Sequence, residues 1–251
     1  MRISYFVETL IYNYHSGIIK NSLIQFSLNW KRWSSFWKDF DQYILLSGAH
    51  RKKALFHLAP ALYDKTVETE LDPIYFYQDC WAFEKIVQNK PAKHYDVGSH
   101  HKYVALLSKV VETTMVDIRP LSLPLSSLSF VKGDILSLPF SSGSIDSLSS
   151  LCVIEHIGLG RYGDILDANG SEKAALELQR VMSSGGSLYL SVHISSTNIL
   201  RFNSHRVFEE EYLKSMFFDM ECMESQYIVG NKLIMHRSDK ECVGLYHFKK
   251  K

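Results

Sequence analysis

Asp96, Asp117 and Asp134 each stand at or just beyond the end of a short apolar run, and each is followed by the residue types of a turn or connection. The first run, His94-Tyr95-Asp96-Val97, leads through Gly98-Ser99-His100-His101 into an apolar stretch of helical character, Tyr103 to Val111. A strand, a tight turn and a helix in that order leave backbone N–H groups open at a helix N-terminus, where Gly98 lets a ligand approach closely. Asp117 ends the second run, where a carboxylate can accept hydrogen bonds from a ribose diol; a solvent-facing cap is the other reading. In Gly133-Asp134-Ile135, Asp134 could accept from an exocyclic amine, with Ile135 against a base.

A second set of reactive types gathers after the fourth run. Glu155 and His156 are adjacent and diverge on any regular element, so they are no ready-made pair. His156 reads equally as a general base, with an ordinary pKa near neutrality, or as a hydrogen-bonded wall residue. The loop Gly158-Leu159-Gly160-Arg161-Tyr162-Gly163-Asp164 follows. There Arg161 could grip a phosphate or carboxylate as a fork, and Asp164 could bind sugar hydroxyls or act as base. A turn held by its own polar side chains is the alternative. His193, Asn203, His205 and Arg206 could line the same mouth. The spacing of His100, His101, His193 and His205 matches no standard site, so no metal is expected. No G-x-S-x-G motif is present, which argues against an α/β hydrolase.

These residues need a scaffold of alternating elements. Strands are predicted at His94 to Val97, Thr114 to Asp117, Ser129 to Lys132, Ile145 to Val153 and Ser187 to Val192, with helices at Tyr103 to Val111, Glu172 to Met182 and Glu209 to Phe218. Ser225 to Val229 and Gly244 to Phe248 supply two further strands. Such alternation points to a mostly parallel sheet flanked by helices. Residues 1 to about 50 read as helical, with Trp30, Trp33, Phe36, Trp37 and Phe40 on one face, either docked on the chain's own domain or open to a partner. Residues 51 to 92 read as mostly helical, Asp72-Pro73 opening a helix that Asn89-Lys90-Pro91 ends. The expected division is a helical extension, 1–90, and an α/β domain, 91–251.

The totals set bounds. The 251 residues are 46% hydrophobic and 22% charged, with a net charge of +1. That is ordinary globular usage with no global field toward nucleic acid or anionic lipid. Cys80, Cys152, Cys222 and Cys242 form no C-x-x-C pair and read as reduced thiols of a cytoplasmic protein, Cys152 as a core residue. No run reaches the length of a membrane span.

Asp-x-Gly, the strand-two Asp, Gly-Asp-Ile-x-x-Leu-Pro-Phe, Ser-x-Asp, Glu-His and a helix ending before Gly-Gly resemble the class I S-adenosylmethionine-dependent methyltransferases over about Lys93 to Ile194. Phe76-Tyr77-Gln78-Asp79, Asp96-Val97-Gly98-Ser99, Asp117-Ile118-Arg119-Pro120, Glu155 to Asp164 and Phe202-Asn203-Ser204-His205-Arg206 resemble more narrowly the domain of unknown function 268 family. The resemblance implies a Rossmann-like fold with a mostly parallel seven-stranded sheet. It implies S-adenosylmethionine as cofactor: Asp96, Gly98 and Ser99 on the methionine side, Asp117 and Ile118 at the ribose, Asp134 and Ile135 at the adenine. Glu155, His156 and Asp164 would be catalytic, and Arg161, Tyr162, His205 and Arg206 would meet the substrate. The departure is the glycine-rich turn, where only Gly98 remains. The acceptor implied is small and polar, a sugar of surface-polysaccharide synthesis. The rival readings are a sugar-nucleotide or glycan-modifying enzyme without a methyl donor, and a non-catalytic module docking a partner or a second copy through the aromatic helices.

Overall fold

The computed structural model describes residues 18–47, 59–119, 121–237 and 239–251, with the backbone alone for 18–28 and 47. The expected helical character of residues 1–17 and 48–58 lies outside the described residues. The chain divides into two units, Met1–Glu70 and Leu71–Lys251. None of the described helices is long and apolar enough to cross a membrane.

In the first unit, α1 (Ile18–Ser47) carries the aromatic face. Trp33 stacks on Trp37 at 6.2 Å and Phe36 on Phe40 at 6.5 Å, as neighbours four apart on a helix must. Residues 59–72 are irregular, where helix was expected. Pro60 and the β-branched Thr66-Val67 disfavour one, and no apolar period compensates. Instead Lys65 reaches back to Asp39 of α1 at 3.0 Å.

The second unit begins with α2 (Pro73–Asn89), which therefore lies with the sheet. Asp72 caps it, its Oδ1 accepting from Ile74 N–H at 2.8 Å, and Pro73 sits where its missing N–H costs nothing. The strands are β1 (Lys93–Val97), β2 (Glu112–Asp117), β3 (Leu128–Lys132), β4 (Ile145–Leu151), β5 (Met182–Ser195), β6 (Ile199–Arg201), β7 (His205–Glu209), β8 (Met220–Val229), β9 (Lys232–Ile234) and β10 (Cys242–Lys250). Their order across the sheet is β3-β2-β1-β4-β5-β10-β8-β9, with β7 beside the end of β5 and β6 paired to β7. The first five are parallel, and β10 lies antiparallel between β5 and β8. The expected seven strands are this core, and the short β6, β7 and β9 are additions.

Helices cover both faces. On one, Trp81, Ala82 and Ile86 of α2 and Val104 and Leu107 of α3 (His101–Leu107) pack on Met115, Tyr189 and Leu245. On the other, Ala174 and Leu178 of α4 (Gly170–Val181) and Leu213 of α5 (Glu210–Met216) pack with Leu148, Leu188, Leu190 and Phe217. Strands buried on both sides read as continuous apolar runs, which is why they were legible. The order reverses between β1 and β4, so the carboxyl ends of β2, β1, β4 and β5 share one rim with a crevice at the switch point.

Candidate active site

The rim starts at the β1 turn. Gly98 has φ +73°, and a Cβ there would sit 3.1 Å from Cγ1 of Val153. Its N–H donates to the Val116 carbonyl at 2.9 Å, tying the turn to β2. Asp96 does not face the rim as expected: it is fully buried beneath it. Oδ1 accepts from the Ser99 N–H at 3.1 Å and Oδ2 from the Ser149 hydroxyl at 2.5 Å. Because Ser149 donates there, it accepts from His94 Nε2–H at 2.9 Å, and His94 Nδ1 then accepts from Ser147 at 2.8 Å. Burial lowers His94 to about 3 and raises Asp96 to about 6. Asp96 is thus a positioning residue that fixes the turn from below. Ser99 is also buried, its Oγ accepting from Leu151 N–H at 3.0 Å.

Asp117, Ile118, Asp134 and Ile135 come together with Gly98 in a cleft enclosing about 720 Å³, part of it open to solvent. Ile135 is buried in its wall. Asp134 Oδ1 accepts from Leu136 N–H at 2.9 Å, fixing its orientation. Asp117 Oδ1 accepts from Arg119 N–H at 2.8 Å, while the guanidinium makes only long contacts of 3.4 and 3.5 Å. Arg119 also lies 4.6 Å over the Tyr162 ring, with Arg161 5.1 Å away on the same ring. Arg119 and Tyr162 line both the cleft and a wider mouth, which His100, His101, Cys152, His156, His193 and His205 also line.

His156 is buried at the seam, touching both spaces. Its Nδ1 lies 2.7 Å from the Ser204 carbonyl. Burial holds its pKa below the usual histidine range. Arg161 donates to the same carbonyl at 3.0 Å. His205, stacked on His193 at 4.6 Å, also lines the mouth, and burial lowers its pKa too. The lowered pKa values of His156 and His205 favour their neutral forms, leaving the arginines as the fixed positive charge.

Three expected roles change. Asp164 accepts from Gly158 N–H at 2.8 Å, Gly160 N–H at 3.3 Å and Tyr162 N–H at 3.1 Å. Those N–H donors lower its pKa against the opposing effect of burial, which makes it a poor base and a good organiser of the loop. Arg206 donates to the carbonyls of Ile157, Asp167 and Ala168 and to the Ser171 hydroxyl, so it clamps the same loop rather than meeting a substrate. Cys152 is half-buried at the rim, not a core residue, with φ +52°. Glu155 is wholly buried against His193, 3.0 Å from its Nδ1. Sequence reasoning gave no role to His94, Ser147 and Ser149, whose only signal was polarity inside apolar runs.

The fold is that of the class I S-adenosylmethionine-dependent methyltransferases. The N-methyltransferase NodS of Bradyrhizobium japonicum WM9 is similar at 15% identity and TM-score 0.52, over 71% of this chain and 97% of that one. NodS in complex with S-adenosyl-L-homocysteine matches at 15% identity and TM-score 0.50, over 79% and 95%. The [4+2]-cyclase SpnF matches at 12% identity and TM-score 0.50, over 68% and 81%. Residues 131–236 match the family described as Caenorhabditis protein of unknown function, DUF268. No curated protein matches the sequence.

Proposed function

We propose that this chain is an S-adenosylmethionine-dependent methyltransferase acting on a small polar acceptor, a sugar hydroxyl being the acceptor its family resemblance favours. The observation that carries this reading is one cleft in which Gly98, Asp117, Asp134 and Ile135 meet at the strand ends. These residues fit an adenosine: a carboxylate for a diol, an apolar wall for a base, an oriented carboxylate for an amine, and a turn that a Cβ would crowd. Ser99 stands beside Gly98 on the methionine side, and Ile118 beside Asp117 at the ribose. When bound, the cofactor supplies an electrophilic methyl group.

The chain's own part is positioning and one proton transfer. His156 Nε2 takes the acceptor's proton. Arg161, Tyr162 and His205 hold the acceptor in the mouth, and the arginine charge suits a phosphorylated or carboxylated sugar. Glu155 acts through His193, while Asp96, Asp164 and Arg206 hold the loops. Incubation with S-adenosylmethionine and a panel of sugar phosphates and nucleotide sugars tests this by release of S-adenosylhomocysteine. Acceptor-dependent release supports it, and no release with any acceptor counts against it.

One observation favours a second reading, an enzyme on this fold that uses no methyl donor. Arg119 already faces the Asp117 carboxylate where a ribose would bind. The fold hosts more than one chemistry, and SpnF is a cyclase. Turnover of a nucleotide sugar without a methyl donor would favour this reading.

A further inference from the structure

We propose that Cys152, Glu155 and His193 form a zinc site opening on the mouth of the groove. The site needs no methyl donor, and it gives Glu155 and His193 a role of their own in place of a positioning pair. It is built by two parallel neighbours, β4 and β5, at their carboxyl ends. The Cys152 N–H continues the β4–β5 ladder, donating to the Ser191 carbonyl at 2.9 Å. That contact places its thiol beside the residues that follow Ser191. His193 is two positions on, and Glu155 enters on the 3₁₀ turn Ile154–His156 just past β4.

The Cys152 Sγ, a Glu155 carboxylate oxygen and a His193 ring nitrogen all lie within 4.8 Å of one another. Ligands of a tetrahedral zinc ion stand roughly 3.3–3.6 Å apart, from bond lengths of about 2.0–2.3 Å. Glu155 Oε1 and His193 Nδ1 meet at 3.0 Å as a hydrogen bond, which an ion would replace. The independent observation is the other carboxylate oxygen. Glu155 is fully buried, and its Oε2 has no hydrogen-bond partner among the described residues. A carboxylate oxygen left so is costly, and a cation bound there would satisfy it.

The donor set selects the ion. Thiolate, imidazole and carboxylate together suit zinc, whereas magnesium and calcium demand oxygen throughout. Ser191 Oγ donates to Gln78 Oε1 at 2.7 Å, and the Cys152 thiol donates to the same oxygen at 3.2 Å, a contact that zinc binding would replace by removing the thiol proton. Cys152 and His193 line the mouth beside His156, Arg161 and His205. Three protein ligands and an open fourth position are the arrangement of a zinc ion that takes water or a substrate heteroatom.

The test uses the full chain, freed of metal by chelation. It is titrated with zinc against a chromophoric chelator, and separately with cobalt(II). One equivalent of each ion is expected, with a near-ultraviolet thiolate-to-cobalt charge-transfer band. Cys152→Ser should abolish the band and weaken zinc by more than about 100-fold, beyond what losing an outer partner costs. Cys222→Ser, an exposed thiol on β8, should change neither. If Cys152→Ser does not fold, His193→Gln should weaken zinc while leaving the thiolate band. Failure of the unaltered protein to bind one equivalent overturns the site. So does a band that survives Cys152→Ser, or one that Cys222→Ser removes.

Discussion

His156 Nδ1 and the Ser204 carbonyl oxygen lie 2.7 Å apart, so the proton of the neutral ring is on Nδ1 and the lone pair is on Nε2. Arg161, whose Nη1 is 3.2 Å from the same nitrogen, cannot donate to it and serves the carbonyl instead. His156 is thereby held as a base of fixed tautomer. The depressed pKa means that the neutral form is lost only below the ordinary histidine value of 6.5. Activity should be flat around neutrality and fall as pH drops through that lower value. His156→Gln should lower kcat by about 10²–10⁴ and leave S-adenosylhomocysteine affinity within about threefold. Steady-state kinetics across pH checks both.

Arg119 would compete with a bound ribose for the Asp117 carboxylate oxygens. Asp117→Asn should weaken S-adenosylhomocysteine by about 10–100-fold, the loss of charge-assisted hydrogen bonds to a diol. Arg119→Ala should leave affinity unchanged or raise it, because its side-chain contacts to Asp117 are long. Equal weakening by both substitutions would show Arg119 to be part of the binding site. Equilibrium dialysis with labelled ligand separates the cases.

The loop after β4 rests on Gly158. It has φ +79°, and a Cβ would fall 2.1 Å from the Asp167 carbonyl oxygen. Gly163 has φ +84° with open space around it. Gly163→Ala should therefore cost about 1–2 kcal/mol, and Gly158→Ala about 3 kcal/mol or more. At roughly 2–4 °C per kcal/mol, thermal melts distinguish them.

Asp96 gives a pH signature of known sign. Its folded-state pKa of about 6 lies above the ordinary value of 3.8, so the folded state holds the proton more tightly. The stability this contributes is present below the unfolded value and is lost as pH rises through about 6. His94 acts oppositely. Its pKa falls from 6.5 to about 3, so its contribution is lost as pH falls through that window. The two partly cancel between pH 4 and 6. Asp96→Asn should remove one side, and its stability relative to the unaltered protein should rise between pH 4 and 6. Urea titrations at several pH values measure this.

The parallel strands were legible because burial on both faces demands uncharged, strand-favouring runs, as in Thr113 to Val116. Strands β6 and β7 were not, because Ile199–Arg201 is exposed and His205–Glu209 is polar at its start. The cleft residues Gly98, Asp117, Asp134 and Ile135 were legible because strand ends fix them locally. The roles of Arg206 and Asp164 were not: a guanidinium reads alike whether it meets a phosphate or, as here, the carbonyl of Ile157, 49 positions away. Nor does any spacing announce that Cys152 and Glu155 meet His193, since the β4–β5 pairing alone brings them together.

By this reading the strand ends receive an adenosine. Calorimetric titration of the unaltered protein with S-adenosylhomocysteine tests it most directly. Saturable binding at one site per chain is the result expected, with adenosine alone binding more weakly at that site. No heat and no thermal shift at millimolar ligand would contradict it.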